Sequence, residues 1–322
     1  MQLRAYGHWS CVWMGHVQSE AFAFEIILYE CCTYNLKQNS KGKERFGFDT
    51  NNGKLIEKQP TPTLIPSLSN ITQIACGANH ALALSSNGLI WSWGCGEQGQ
   101  LARHDTDLNY LVPDPIHIRD IKYIASGEYH SSAVDKKENV WAWGLNSFGQ
   151  TGYAKAAGSD EVCLPYPMKI RDLAGCGIEH LAGGAHHSAA LTADGQCFVW
   201  GRLDGGQLGI AFTPEQLQDS NLIRYDERNK PRICLRPTPV LGIGRFSHVA
   251  CGTDHTIFVT RKEGTAYATG FNSQDQLELG HEDDVEVAQL IKGKDLKDRK
   301  LIWAGAGGQF SVVAALSNST AT

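Results

Sequence analysis

Four histidines invite a metal or acid–base reading. His80, His130, His187 and His255 each stand three residues after a glycine, at Gly77, Gly127, Gly184 and Gly252. A second glycine (Gly94, Gly144, Gly201, Gly270) follows 14 residues later in three copies and 15 in the fourth. A metal centre needs three or four donors converging on one point. Histidines that recur once per repeat lie on separate units and predict no shared metal. They predict a structural bond from the ring to neighbouring backbone that fixes the unit. The 10 cysteines show no Cys-x-x-Cys spacing; Cys31 and Cys32 are adjacent and the rest are scattered. Cys76 and Cys251 share one place in the repeat, just before the glycine, as small buried core residues would. No Gly-x-Ser-x-Gly or His-Glu-x-x-His occurs, and Asp283–Asp284 reads as solvated charge in an acidic loop. Neither covalent catalysis, metal nor cofactor is expected.

The residue before each histidine carries the more telling signal. It is Asn79, Tyr129, His186 and Asp254, with Gln309 at the same place in a fifth, partial copy. A purely structural position would repeat. Polar or aromatic variation at one equivalent loop position predicts a binding face built from one residue per unit.

The units that position these residues are IACGANHALALSSNGLIWSWG (74–94), IASGEYHSSAVDKKENVWAWG (124–144), LAGGAHHSAALTADGQCFVWG (181–201) and VACGTDHTIFVTRKEGTAYATG (249–270). WAGAGGQFSVVAAL (303–316) is the partial copy. Their first glycines, closing with Gly307, are 50, 57, 68 and 55 residues apart, so the unit is constant and its connections vary. Within the first unit, Ile71–Cys76, His80–Leu84 and Leu89–Trp93 read as strands. Polar turns ending in glycine (86–88, 193–195, 262–264) join antiparallel strands. A further element with a proline near its start (Pro62, Pro115, Pro167, Pro239) reads as an edge strand. Four strands per repeat is the size of a propeller blade. A Gly-rich run follows each second glycine, as in Gly94–Leu101, Gly144–Thr151 and Gly201–Leu208; the last copy keeps Gln276 and Leu277. No Lys-Ser/Thr follows these glycines, so they read as crossings between blades and not as a phosphate loop.

With 322 residues, 42% of them hydrophobic and 20% charged, the chain has a globular composition. Its net charge of −5 argues against a protein that works by wrapping nucleic acid. No run reaches the roughly 20 apolar residues of a membrane helix; the apolar part of 21–32 is broken by Glu25 and Glu30. Scattered thiols and the lack of a signal-peptide pattern suit a soluble, intracellular protein with no membrane partner.

The A-x-G-x-x-H-x-x-A-L phase, the Gly-ending turn, the W-G pair and G-Q-L-G resemble the regulator-of-chromosome-condensation repeat family over residues 46–322. The resemblance implies an all-β, seven-bladed propeller, of which this chain shows four clear blades plus partial ones: an incomplete ring. Blade units fall near 71–120, 121–177, 178–245 and 246–300, with a partial one at 301–318. Within the family, CGEQGQLAR (95–103), the pair His186–His187 and GGQFSV (307–312) look most like the nuclear, fungal-like guanine-nucleotide exchange factors of the Ran GTPase. The resemblance therefore implies a Ran-type small GTPase as partner, nuclear location, chromatin or histones as further partners, and no small-molecule substrate. It implies exchange through contacts of the propeller face. His186 matches a position important for exchange, and Arg103 matches an arginine on the partner face. Asn79 stands where the family carries an acidic residue, and Gly149 where animal members carry histidine.

The departures are as informative. Residues 1–45 match nothing in the pattern and read as a truncated or mis-spliced N-terminus, with 46–70 the tail of a preceding blade. The segment that levers the GTPase phosphate loop falls at or before 46–53. The expected result is an open arc with an exposed sheet edge; closure with five blades is the alternative. The basic run Lys37–Arg45 reads as a solvated linker or a nuclear-targeting patch. The connection 210–245 mixes Arg224, Arg228, Lys230, Arg232 and Arg236 with Asp226 and Glu227, a weak signal for chromatin contact.

Overall fold

A strand buried on both faces must be apolar throughout, without the usual alternation. Ala81–Leu84 is such a run, inside a strand, His80–Ser85 (HALALS), whose every residue is buried. Ala81 and Ala83 pack toward Ile65, Leu68 and Trp93. Leu82 and Leu84 pack on Ile121, Ile124 and Trp143 of the following repeat. His187–Thr192 and His255–Thr260 are buried in the same way. Each sheet is thus the wall of two cores, and the hydrophobic interior lies between blades.

The computed structural model describes residues 50–51, 54–55, 65, 67–103, 112–158 and 162–315. The segment 1–45, the run Lys37–Arg45 and Pro62 lie outside the described residues, as does 46–53 except for Thr50 and Asn51. Four antiparallel sheets follow one another, with strands in chain order except at the outer edge of the third. The first blade holds Ile71–Cys76, His80–Ser85, Ile90–Gly94 and Asp114–Pro115. The second holds Ile121–Ser126, His130–Asp135, Val140–Leu145 and Cys163–Lys169. The third holds Ile178–Gly183, His187–Thr192, Cys197–Arg202 and Pro231–Pro239, and the fourth Phe246–Cys251, His255–Thr260, Ala266–Gly270 and Val285–Leu290. A hairpin, Leu301–Ala306 with Ser311–Ala315, follows. The first strands of successive blades pack side by side, from Ile71–Cys76 to Leu301–Ala306, as the inner strands of a propeller do. Among the described residues the hairpin makes no comparable packing with the first blade. The five-bladed closure weighed from the sequence is not formed among the described residues.

Three sequence expectations need correction. Pro115 and Pro167 lie in outermost strands, where one edge has no partner and a missing N–H costs nothing, whereas Pro239 lies in a strand paired on both sides, by Cys197–Arg202 and Ile223–Tyr225. None opens its strand: Pro115 and Pro239 end theirs and Pro167 lies inside Cys163–Lys169. The 210–245 connection is no loose loop. Thr213 caps a helical turn, Pro214–Gln218, with a reciprocal Thr213–Gln216 capping box, and Ile223–Tyr225 adds a fifth strand to the third sheet. Cys76 is exposed, not a core residue, while Cys251 is half-buried. The place faces the preceding blade, as Ser126 shows by bonding His80 Nε2 at 2.8 Å. Cys251 finds the third blade there, and Cys76 has no described sheet on that side.

The repeat histidines tie each blade to the next. His80 Nε2 meets Ser131 Oγ at 2.9 Å, His130 meets Ser188 at 2.8 Å, His187 meets Thr256 Oγ1 at 2.9 Å and His255 meets Ser311 at 3.0 Å. Each hydroxyl donates its proton onward to a backbone carbonyl: Gln100, Gln150, Gln207 and Gln276 accept at 2.9, 2.8, 2.7 and 2.8 Å. The hydroxyl must then accept from the ring, so Nε2 carries the hydrogen and Nδ1 is bare. Nδ1 is buried without a partner in all four rings, and the Cε1 and Nδ1 atoms of each ring lie where a Cβ on its glycine would stand. A second proton would have no acceptor, and burial holds His80, His130 and His187 down at about 3 and His255 at about 4. The sequence had pointed these rings at neighbouring backbone. They reach a hydroxyl across the seam because the glycine three residues earlier leaves room for the ring to turn outward.

Candidate protein-binding face

One end of every blade carries the turn from first to second strand and the loop after the third. Asn79, Tyr129, His186, Asp254 and Gln309 all lie at this upper end, as does Arg103. The backbone of the varying residue is clamped from the third strand. Asn79 O accepts from Cys95 N at 2.6 Å, Tyr129 O from Leu145 N at 2.9 Å, His186 O from Arg202 N at 2.8 Å and Asp254 O from Phe271 N at 2.9 Å. The close approach requires the W-G glycine. Gly201 has φ +107, and a Cβ there would lie 2.5 Å from His186 O. Repeated residues thus hold the main chain and leave the side chains free to differ.

The structure gathers His186 and Asp254 into one cluster with Phe148, Arg202 and Asp204, which sequence reading missed, and Arg232, which it read only as a weak chromatin signal. The Phe148 ring packs edge-on against His186, with centroids 4.7 Å apart. The guanidinium carbons of Arg202 and Arg232 lie 5.3 and 4.9 Å from the Phe148 centroid. Arg202 Nε donates to Asp204 Oδ1 at 2.5 Å, and its Nη1 lies 3.7 Å from Asp254 Oδ1. Arg232 Nε lies 4.0 Å from Asp204 Oδ2. The second, third and fourth blades all contribute. Burial lowers the pKa of His186, opposed by Asp254 and reinforced by Arg202. Nearer the first strands, Thr253 Oγ1 donates to Glu128 Oε1 across the third blade. Burial raises the Glu128 pKa, and Thr253 opposes that shift.

The remaining nominated residues lie apart. Tyr129 is half-buried, its pKa raised first by burial and then by Glu128 and Cys95. Arg103 donates to Val112 O at 2.8 Å and Ser92 Oγ at 3.4 Å, beside a groove of about 240 Å³ walled by Glu97, Cys163 and Pro165. Asn79 is half-buried and Gln309 exposed; Phe310 replaces the histidine beside Gln309, with its ring on Gly307. A signal for Arg202 was available. It follows Gly201, at the place taken by Cys95, Leu145 and Phe271 in other repeats, and that place varies as the one before the histidine does.

Residues 32–313 match the RCC1-like domain. The chain belongs to that family. Among RCC1-like relatives, the guanine nucleotide exchange factor SRM1 of Saccharomyces cerevisiae is 37% identical over 80% of this chain and 53% of its own length. Protein pim1 of Schizosaccharomyces pombe is 34% identical over 81% of this chain and 48% of its own. The crystal structure of Prp20p from Saccharomyces cerevisiae, studied with its binding to Gsp1p and histones, superposes with a TM-score of 0.76 at 36% identity. The superposition covers 82% of this chain and 60% of Prp20p. This RCC1-like chain spans about half the length of the curated relatives it matches.

Proposed function

We propose that the chain promotes guanine-nucleotide exchange on a Ran-type small GTPase through its upper face. The observation that carries this reading is the 37% identity to an exchange factor over 80% of the chain. The three-blade cluster around His186 supplies the chemistry of a protein contact: a half-buried neutral ring, two guanidiniums and two carboxylates. His186 and Asp254 are the central contacts; Tyr129, Asn79, Gln309 and Arg103 flank them. No bond is made or broken. A face that binds the empty GTPase more tightly than the loaded one weakens nucleotide binding by the same factor, as linkage requires. Nuclear location and a chromatin or histone partner follow from the same relatives and belong to this proposal.

The test is release of a fluorescent GDP from a purified Ran-type GTPase with this chain added, beside His186→Ala. Acceleration that drops roughly tenfold or more in the variant supports the reading. Excess GDP should also dissociate a preformed complex. A folded chain that binds loaded and empty GTPase equally would instead be a non-catalytic interaction module, and the exchange proposal would fall.

A further inference from the structure

We propose that Phe148, held between Arg202 and Arg232, is a positioning residue that fixes the orientation of His186 and keeps its ring uncharged for the partner. This deepens the exchange reading and rests on it. Phe148 is itself firmly placed. Its N–H donates to Gln150 Oε1 at 2.9 Å, and Asn146 closes the same loop through Tyr153 O at 3.0 Å and Thr151 Oγ1 at 2.6 Å. Its ring meets two guanidiniums at 5.3 and 4.9 Å, a cation–aromatic contact. Those guanidiniums are tethered by Asp204 and, for Arg202, by Asp254.

The Phe148 and His186 ring centroids lie 4.7 Å apart at an interplanar angle of 62°, while Arg202 N holds the His186 carbonyl at 2.8 Å. Backbone and ring are therefore held from two different blades. His186 Nδ1 is buried with no partner among the described residues, which leaves Nε2 for the bound protein. Arg202 and Arg232 pair with Asp204 and Asp254 within the cluster, Glu128 lies beside Asp254, and the neighbouring rings His130 and His187 are both neutral. Burial disfavours a proton on His186 most, Asp254 and Asp204 favour one, and Arg202 disfavours it, with burial prevailing. Removing the Phe148 ring admits water, releases both guanidiniums and returns the imidazole toward ordinary titration.

The experiment pairs GDP release from a Ran-type GTPase with NMR titration of the His186 Cε1–H in the full chain, for the parent, Phe148→Leu and Phe148→Tyr. Urea midpoints verify that each variant is folded. Phe148→Leu should slow exchange about tenfold and add an acid limb near the ordinary histidine range. Its His186 titration should move upward. Phe148→Tyr keeps the ring edge and should stay within about twofold of the parent in rate. A His186 titration identical in the parent and Phe148→Leu overturns the proposal, whatever the rates. So does a shifted titration with an unchanged rate in an active parent. If the parent itself does not accelerate release, the exchange reading fails, while a shifted titration still upholds the positioning of the ring.

Discussion

His187 is fully buried, and its Nε2 donates to Thr256 of the next blade. His186, its chain neighbour, is half-buried at the upper end with its ring in a T-shaped contact with Phe148. Successive strand-start residues point to opposite sides, so one step in sequence separates the seam from the face. The seam repeats because every blade must solve the same problem: it must meet its neighbour with a hydroxyl, a ring and a glutamine carbonyl. The face varies because nothing inside the propeller constrains it. Gly201 joins the two, since it packs on the His186 carbonyl and the His187 Cα.

Gly201→Ala should break both regions at once. Its φ of +107 disfavours any Cβ, and that Cβ would meet His186 O at 2.5 Å. A loss of about 3 kcal/mol or more in urea unfolding is expected, together with loss of any exchange activity. A stable Gly201→Ala chain would show that the clamp is slack. His187→Ala comes next. It leaves a cavity and removes the donor that Thr256 accepts, at a cost of about 2–3 kcal/mol. Activity per folded molecule should be retained, because the face lies one residue away.

Acid should separate the regions without mutation. His80, His130, His187 and His248 are held at about 3, and His255 at about 4, chiefly by burial. Once unfolded they titrate near 6.5, so the unfolded chain binds more protons. Stability is full above that pH and is lost as the pH falls toward the folded values. At pH 5 each such ring costs about 2 kcal/mol. Glu128 runs the other way, its raised pKa favouring the protonated folded form as pH falls, but it is one group against these five and against His180 and His186, which burial also lowers. The urea midpoint should therefore drop steeply between pH 6.5 and 5. A flat profile over that range would sink the account of the seam rings as obligately neutral.

The strands themselves were legible in the sequence. Ile71–Cys76 was read to the residue, and His80–Ser85 and Ile90–Gly94 to within one, because glycines punctuate the repeat. The varying residues were legible as a set, since variation at one phase is visible without coordinates. What stayed hidden needed partners far apart in the chain. Phe148 is 38 residues from His186, and Arg232 reaches the cluster only because Pro231–Pro239 closes the third sheet beside Cys197–Arg202. A second series was overlooked for a different reason. Gln73, Tyr123, His180, His248 and Trp303 stand four residues before the repeat glycines. A bulge at this point of each first strand shifts the register, which plain alternation does not anticipate. Tyr123 Oη then meets His180 Nδ1 at 2.7 Å, and His180 and His248 lie 4.5 Å apart, ring to ring.

His186→Ala sharpens the comparison from the other side. The ring is half-buried and lends the fold one aromatic contact, so about 1 kcal/mol of stability is expected to go, against the larger loss at His187. The smallest structural effect belongs to Asn79→Asp. The fold holds Asn79 through its carbonyl, which accepts from Cys95 N at 2.6 Å, and a new carboxylate at this half-buried surface site should change stability by no more than about 0.5 kcal/mol. Exchange should nevertheless rise severalfold, because the family resemblance implies an acidic residue at that place and steering by an added charge acts on association. High salt should remove the gain. A rate unchanged at low salt would show that the first blade stands outside the contact, and would confine the face to the three blades that meet around His186.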